Sequence, residues 1–452
     1  MTFMLSGRDD PGFIAAWKTY PTILSMQNSL KWCEWSLFGA LCLSIALLGI
    51  GRLELGFAGQ SMSAWSVSRT ALGFWLIFKM VGLIRRGWHG VSREAVLAWA
   101  PLTAFFVIVT LSLLPDFRQT GDYRYLALAL GHAVMVVDIF AEPRRQRALL
   151  FIMAVTPLAF VVRGFVDAPE VFNLALVYRF DYPLDHANTA GYLLAMSIPL
   201  CLYVAQTERG WRRWLAAVSC ASQILALLLT HSRGAWLGLC TAIVFLLIST
   251  RRWKALAATG AFVLVCATAL APIRDRATSV LEPWKNDPAL SDRWQLAQDA
   301  FRLGWENPVL GVGYGRGRLK EALRERVEGT PRESHPILHT HNLYLELFAE
   351  TGLLGLGAFL WLVLATLYRL QRRALANSAG ADLLGATLGA SWVAALVAGF
   401  GDIPFYHHEP RIFFFSLFAA TVLYYGEGAP LANTRDMPVK QLRAASNKQI
   451  GC

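Results

Sequence analysis

The sequence predicts an all-α, polytopic membrane protein with about twelve transmembrane helices. Composition, run length and charge placement each point there. Of 452 residues, 55% are hydrophobic and 16% are charged, against roughly 25% charged in a soluble domain. So much apolar surface cannot be hidden from water in a globule. It also excludes disorder, which needs low hydrophobicity and high charge density. The 42 Lys+Arg against 31 Asp+Glu leave a net charge of +11. A basic balance fits nucleic acid or an anionic membrane surface. The apolar excess selects the lipid bilayer as partner, with no nucleic acid expected.

A spanning helix needs about 20 mostly apolar residues. Such runs stand at 33–51, 66–84, 95–114, 123–141, 148–166, 189–206, 212–230, 234–250, 254–272, 342–368, 381–401 and 411–426. The second run contains Arg69 and Lys79, and the eighth is short. The first thirty residues carry Arg8, Asp9, Asp10 and Lys18. They lack the basic-then-apolar opening of a cleavable signal peptide, so the first span is expected to drive insertion.

Loop charge sets the expected orientation. The even connections each carry three basic residues: Arg85, Arg86 and Arg93; Arg144, Arg145 and Arg147; Arg209, Arg212 and Arg213; Arg251, Arg252 and Lys254; Arg369, Arg372 and Arg373. The short odd ones are poorer, with Arg52 in the first and Arg118 and Arg124 in the third. Short cytoplasmic loops collect Lys and Arg, so both termini are expected in the cytoplasm. Five cysteines, at 42, 201, 220, 240 and 266, lie in apolar runs, where Cys packs as a small hydrophobe. No CxxC pair supports a zinc site.

Two odd connections are long. Residues 167–188 hold Arg179, Asp181, Asp185, His186 and Asn188. Residues 273–341 join spans nine and ten. There Ser291 is expected to cap a helix in which Trp294, Ala297 and Phe301 recur at helical spacing, with Gly304 ending it. Such a helix would lie on the membrane surface or over the bundle. The strip Asn307-Pro-Val-Leu-Gly-Val-Gly-Tyr314-Gly315 is rich in turns, and its N–H groups are expected to face an anion. A basic helix follows at about 317–328, with Arg316, Arg318, Lys320, Arg324 and Arg326. The expected organisation is therefore 1–272 (nine spans with short loops), 273–341 (a large outer loop with amphipathic helices), 342–426 (three spans) and 427–452 (a cytoplasmic tail).

Polar residues suited to chemistry collect on the outer face: Arg163, Arg179, His186, Asn188, His231, Arg233, Arg293, His335, His339, His341, Asn342, His407 and His408. Seven of the nine histidines fall there. A lone Arg at a span end has a plain explanation, snorkelling to the headgroups, but snorkelling predicts no clustering of histidine. Arg233 sits in the tight turn His231-Ser232-Arg233-Gly234. Its guanidinium can fork onto phosphate oxygens, and with Arg293 it is expected to hold a pyrophosphate at the membrane surface. A neutral His339 or His341, opening span ten, can take a proton from an incoming hydroxyl. A metal on His335, His339 and His341 would lack a carboxylate or Cys to complete the set, and no Gly-x-x-x-x-Gly-Lys loop or Gly-x-Ser-x-Gly elbow is present. No metal and no cofactor are expected.

His341-Asn342, nine residues, Gly352, two residues, Gly355 resembles the signature of the O-antigen ligase and O-antigen polymerase superfamily of bacterial envelopes. Three further stretches are similar to that superfamily and in its order: His186-Ala-Asn-Thr-Ala-Gly-Tyr, Ser232-Arg-Gly-Ala-Trp-Leu-Gly, and Ser291-Asp-Arg-Trp followed by Asn307-Pro-Val-Leu-Gly-Val-Gly-Tyr-Gly. The resemblance covers roughly 180–360. It implies a C-type glycosyltransferase-like membrane fold in the bacterial inner membrane, with a periplasmic active site. It implies metal-independent, inverting transfer of a glycan from undecaprenyl pyrophosphate to a hydroxyl of the lipid A–core. The motif's base maps onto His341, with His339 a competitor, and its essential arginines map onto Arg233 and Arg293. Arg163, Arg179, His186, Asn188, Asn342, Tyr314, Arg316 and Arg318 are the expected substrate contacts.

Three rivals stand beside this reading. One is a polymerase or protein O-oligosaccharyltransferase of the same superfamily, distinguished only by acceptor. A transporter predicts polar or broken helices in matching halves, and only Lys79 and Asp138 hint at that. A receptor or scaffold would not need Arg233 or His341.

Overall fold

A computed structural model describes residues 35–43, 45, 52–54, 61–63, 67–76, 79, 93–114, 121–168, 170, 179–181, 184, 186–269, 288–328, 340–376, 382–403 and 407–426. Fourteen helices account for most of these. They are α1 (35–43), α2 (67–76), α3 (Arg93–Ser112), α4 (Gly121–Ile139), α5 (Pro143–Asp167), α6 (Ala187–Thr207), α7 (Trp211–Leu229), α8 (Arg233–Ser249), α9 (Trp253–Ala269), α10 (Pro288–Glu306), α11 (Arg316–Val327), α12 (Leu343–Ala376), α13 (Leu383–Ala398) and α14 (His408–Gly426). One antiparallel hairpin, β1 (Arg52–Glu54) with β2 (Ser61–Ser63), lies in the first connection. It was not expected, because three-residue strands are too short to show an alternating pattern.

Among the described residues, four helices are long and apolar enough to cross a membrane: α5, α6, α7 and Leu343–Arg373 of α12. Three shorter ones, α8, α13 and Trp99–Ser112 of α3, are also apolar. The chain is a helical, multi-pass membrane protein. At its centre is α6, buried along most of its length and packed on α5, α7, α8 and α13. Small residues let the backbones close. A Cβ on Gly238 of α8 would stand 2.8 Å from the Ala394 carbonyl oxygen of α13, and Gly234 abuts Gly401 just past the end of α13. Without a solvent to expel, such contacts are a main source of helix association in a bilayer. Polar groups inside the bundle are matched to one another. Pro157 interrupts the backbone ladder of α5, and the Ala154 carbonyl in the preceding turn accepts from Ser219 Oγ and Gln223 Nε2 at 3.1 and 3.0 Å.

Three expectations for the long connection need correction. The helix containing Ser291 starts earlier, at Pro288, and continues past Gly304 to Glu306, so Ser291 is not its cap. Gly304 serves packing instead: a Cβ there would stand 2.6 Å from two Phe348 ring carbons. The strip 307–315 does not hold its N–H groups out to an anion. It repairs a broken helix. At Gly352 the backbone of α12 turns to φ 65°, ψ −166°, so Ala349 and Glu350 lose their partners four residues on. Val312 and Gly313 N–H donate to those two carbonyls, each at 2.9 Å, and Leu353 and Leu354 N–H donate to Pro308 and Val309 carbonyls at 2.7 and 3.4 Å. Freed backbone groups at membrane depth must find partners, and the strip supplies them. Gly311 and Gly352 both have positive φ, and a Cβ on either would overlap the opposing backbone.

Replacing Gly238 by Leu should force α8 from α13 and cost about 1–3 kcal/mol, the usual range for overpacking. Thermal unfolding in detergent should show a lowered midpoint, while Gly260→Leu on α9, where no atom lies within 4 Å, should leave it unchanged.

Candidate active site

The site forms where α6, α8 and α12 begin and α13 ends. Gly234, the second residue of α8, touches Gly401. The next residue, Asp402, is buried and faces two imidazoles. His186 Nδ1 lies 3.5 Å from its Oδ2, and His341 Nδ1 lies 3.9 Å from its Oδ1. The His407 ring stacks near His186, with centroids 6.2 Å apart. Asp402 Oδ1 also accepts the Ile403 N–H at 2.8 Å. A buried carboxylate needs such company to remain charged. Three helix N-termini gathered nearby add partial positive charge.

Each histidine is presented by a constrained turn. His186 is the extended residue before α6. His341 has φ 54° and His231 has φ 51°, a region costly for side chains with a Cβ. Both precede a helix cap, Asn342 for α12 and Ser232 for α8. Asn342 Oδ1 accepts from Tyr344 and Leu345 N–H at 3.0 and 3.1 Å, which is an N-cap. The Leu343 N–H reaches the Gly399 carbonyl at 2.8 Å, fixing α12 to the end of α13. Glu346, one turn in, accepts from Thr340 N–H at 2.9 Å and Thr340 Oγ1 at 2.6 Å, which pins the other side of the His341 turn.

The structure brings Arg179, His186, Asn188, Arg233, His341 and Asn342 to this one end. Arg179 donates Nε to the Thr230 carbonyl and Nη2 to Asn188 Oδ1, both at 2.9 Å. It thereby joins the segment before α6 to the α7–α8 turn that carries Arg233. Arg233 itself is the first residue of α8. Arg163, on the last turns of α5, pairs with Asp167 at 3.1 Å. Arg293 is partly exposed on α10, and no contact shown here joins it to Asp402 or His341. His335 and His339 lie outside the described residues.

The remaining expected contacts belong to a second cluster. Tyr314 is buried against Ser112, whose Oγ accepts its N–H at 3.2 Å. Burial pushes its phenol well above the usual range; Arg411 opposes the rise, while Glu350, Asp122 and Glu346 add to it. The buried phenol is therefore held in its neutral form. Arg316 is held by Asp122, which accepts its N–H at 3.0 Å. Arg318 is buried against Gly313, and Arg326 pairs with Glu306. Only part of the basic face of α11 is thus open to solvent.

Residues 215–360 match the family model described as O-antigen ligase. That stretch is similar to O-antigen ligases. The match covers about a third of the chain. The matched stretch contains α8 with Arg233, α10, α11, the repair strip, His341 and the Gly352 break. Asp402, His186 and Arg179 reach the same site from outside it. No curated protein matches the chain.

Sequence reasoning missed Asp402 and the buried Arg411. The signal for Asp402 was a single acidic residue directly after span eleven, on the face where histidines gather. For Arg411 it was a lone Arg at the start of the last span.

Asn342→Ala should remove the α12 cap and cost about 1 kcal/mol, read as a lower unfolding midpoint. Asn342→Asp, which keeps an acceptor for both N–H groups, should restore most of it.

Proposed function

We propose that the protein is an O-antigen ligase that transfers a glycan from undecaprenyl pyrophosphate to a lipid A–core hydroxyl on the periplasmic face of the bacterial inner membrane. The chain would cross that membrane twelve times, with both termini cytoplasmic and a C-type glycosyltransferase-like arrangement. The observation that carries the reading is the buried Asp402 carboxylate behind His341, beside the α8 N-terminus that bears Arg233.

The chemistry follows from that arrangement. Asp402 stands on the Nδ1 side of His341 at 3.9 Å, longer than a hydrogen bond and of a kind that tightens when substrate binds. A carboxylate there favours the tautomer protonated at Nδ1, leaving Nε2 as the base. His341 Nε2 takes the acceptor hydroxyl proton as the oxygen attacks the anomeric carbon from the face opposite the pyrophosphate. The bond from that carbon to the pyrophosphate oxygen breaks, and the electron pair leaves with the carrier. Inversion results. The imidazolium formed is stabilised by Asp402. Arg233 and Arg293 bind the pyrophosphate and favour it most as its charge grows, which makes binding catalytic. His186, Arg179 and Asn188 shape the pocket, and residual basic charge on α11 faces the acceptor's phosphates. No metal enters these steps.

The test is transfer by purified protein in lipid nanodiscs, given carrier-linked glycan and rough lipopolysaccharide. Product on the lipid A–core supports a ligase, and elongated carrier-linked glycan would select a polymerase. His341→Ala and Arg233→Ala should each lower the transfer rate about 100-fold or more. Variants that keep full rate would overturn the assignment of roles.

A further inference from the structure

We infer that α10 is a lipid-interface helix, with its outer aromatic face seated in the outer leaflet of the bilayer. The inference rests on the membrane setting and on the orientation proposed above, and stands whether or not the transfer reading does. Its first support is that α10 has two apolar faces. Leu296, Ala300 and Leu303 are buried against α11 and Ala349 of α12. On the opposite side, Trp294, Phe301 and Trp305 fall within about 40° of one another at about 100° per residue. Phe301 is 52% and Trp305 65% exposed, and their rings stack at 6.2 Å. One apolar face is enough to dock a helix on the bundle. A second, aromatic one calls for an apolar partner.

The depth of that face can be read from α12. The basic end of α12 carries Arg372. From there back to Gly352 is about 20 residues, which rise about 30 Å, the thickness of the hydrocarbon core. The Gly352 break therefore lies at the outer edge of the hydrocarbon. The aromatic face of α10 meets α12 at this level. The Phe301 ring lies 5.9 Å from Phe348, and Val309, 58% exposed, is hydrogen-bonded through its carbonyl to Leu354. Leu353 and Leu354 are themselves exposed and begin the outward wall of α12, which continues through Trp361 and Leu364. The α10 face is thus continuous with a lipid-facing surface and stands at headgroup depth. Trp at that depth, with half-buried Asp299 and exposed Arg302 beside it, matches the preference of Trp for the polar interface and of Arg for lipid phosphate. The occupant is phospholipid, not a second copy of the chain.

The experiment compares tryptophan emission of the full chain with that of Trp305→Phe in nanodiscs. The difference between the two reports Trp305. Lipids brominated near the ester linkage should quench that difference strongly, and lipids brominated near the chain end should quench it less. Aqueous iodide should leave it largely intact. Quenching by iodide and not by lipid would show a solvated face, and resistance to both would show a protein partner. Either result would overturn the proposal.

Discussion

The structure depends on a helix that is broken on purpose and repaired from outside. At Gly352 α12 gives up its own hydrogen bonds, and the strip 308–313 takes both sides of the gap. In water the four freed groups would find solvent. Buried in protein, away from water, they would each cost a few kcal/mol if left bare. The repair therefore locks the outer loop to the bundle, and α10 and α11 are carried with it. It also isolates a short half-helix, Leu343–Thr351, whose start is free to be aimed by its cap.

That half-helix is what positions His341, the proposed base. Asn342 caps it, Leu343 ties it to Gly399, and Glu346 holds Thr340. Between these ties stands His341 with positive φ, turned toward Asp402. The close α8–α13 seam brings Gly234 against Gly401, which sets the start of α8 beside the same carboxylate. Backbone proximity made possible by glycine thus gathers groups from positions 186, 233, 341 and 402.

The sequence showed the helices well, because apolar runs about 20 residues long leave few alternatives, and helix stands within each of the twelve runs. The gathering of His186, His341 and His407 at one end was legible because histidines concentrate in the outer connections. Two things were not. The strip 307–315 looks like an anion-binding turn because glycines with positive φ serve both purposes; only the helix break, a φ of 65° at Gly352 hidden in a long apolar run, tells them apart. Asp402 was passed over because one carboxylate carries no pattern. Its importance comes from the fold, which buries it between two histidines 155 residues apart in sequence.

The pairing of Asp402 with His341 is tested most directly by single-turnover transfer with Asp402→Asn in nanodiscs, alongside a donor-binding measurement. The account predicts transfer slowed about 100-fold or more with donor binding little changed. Transfer at the full rate by Asp402→Asn would contradict it.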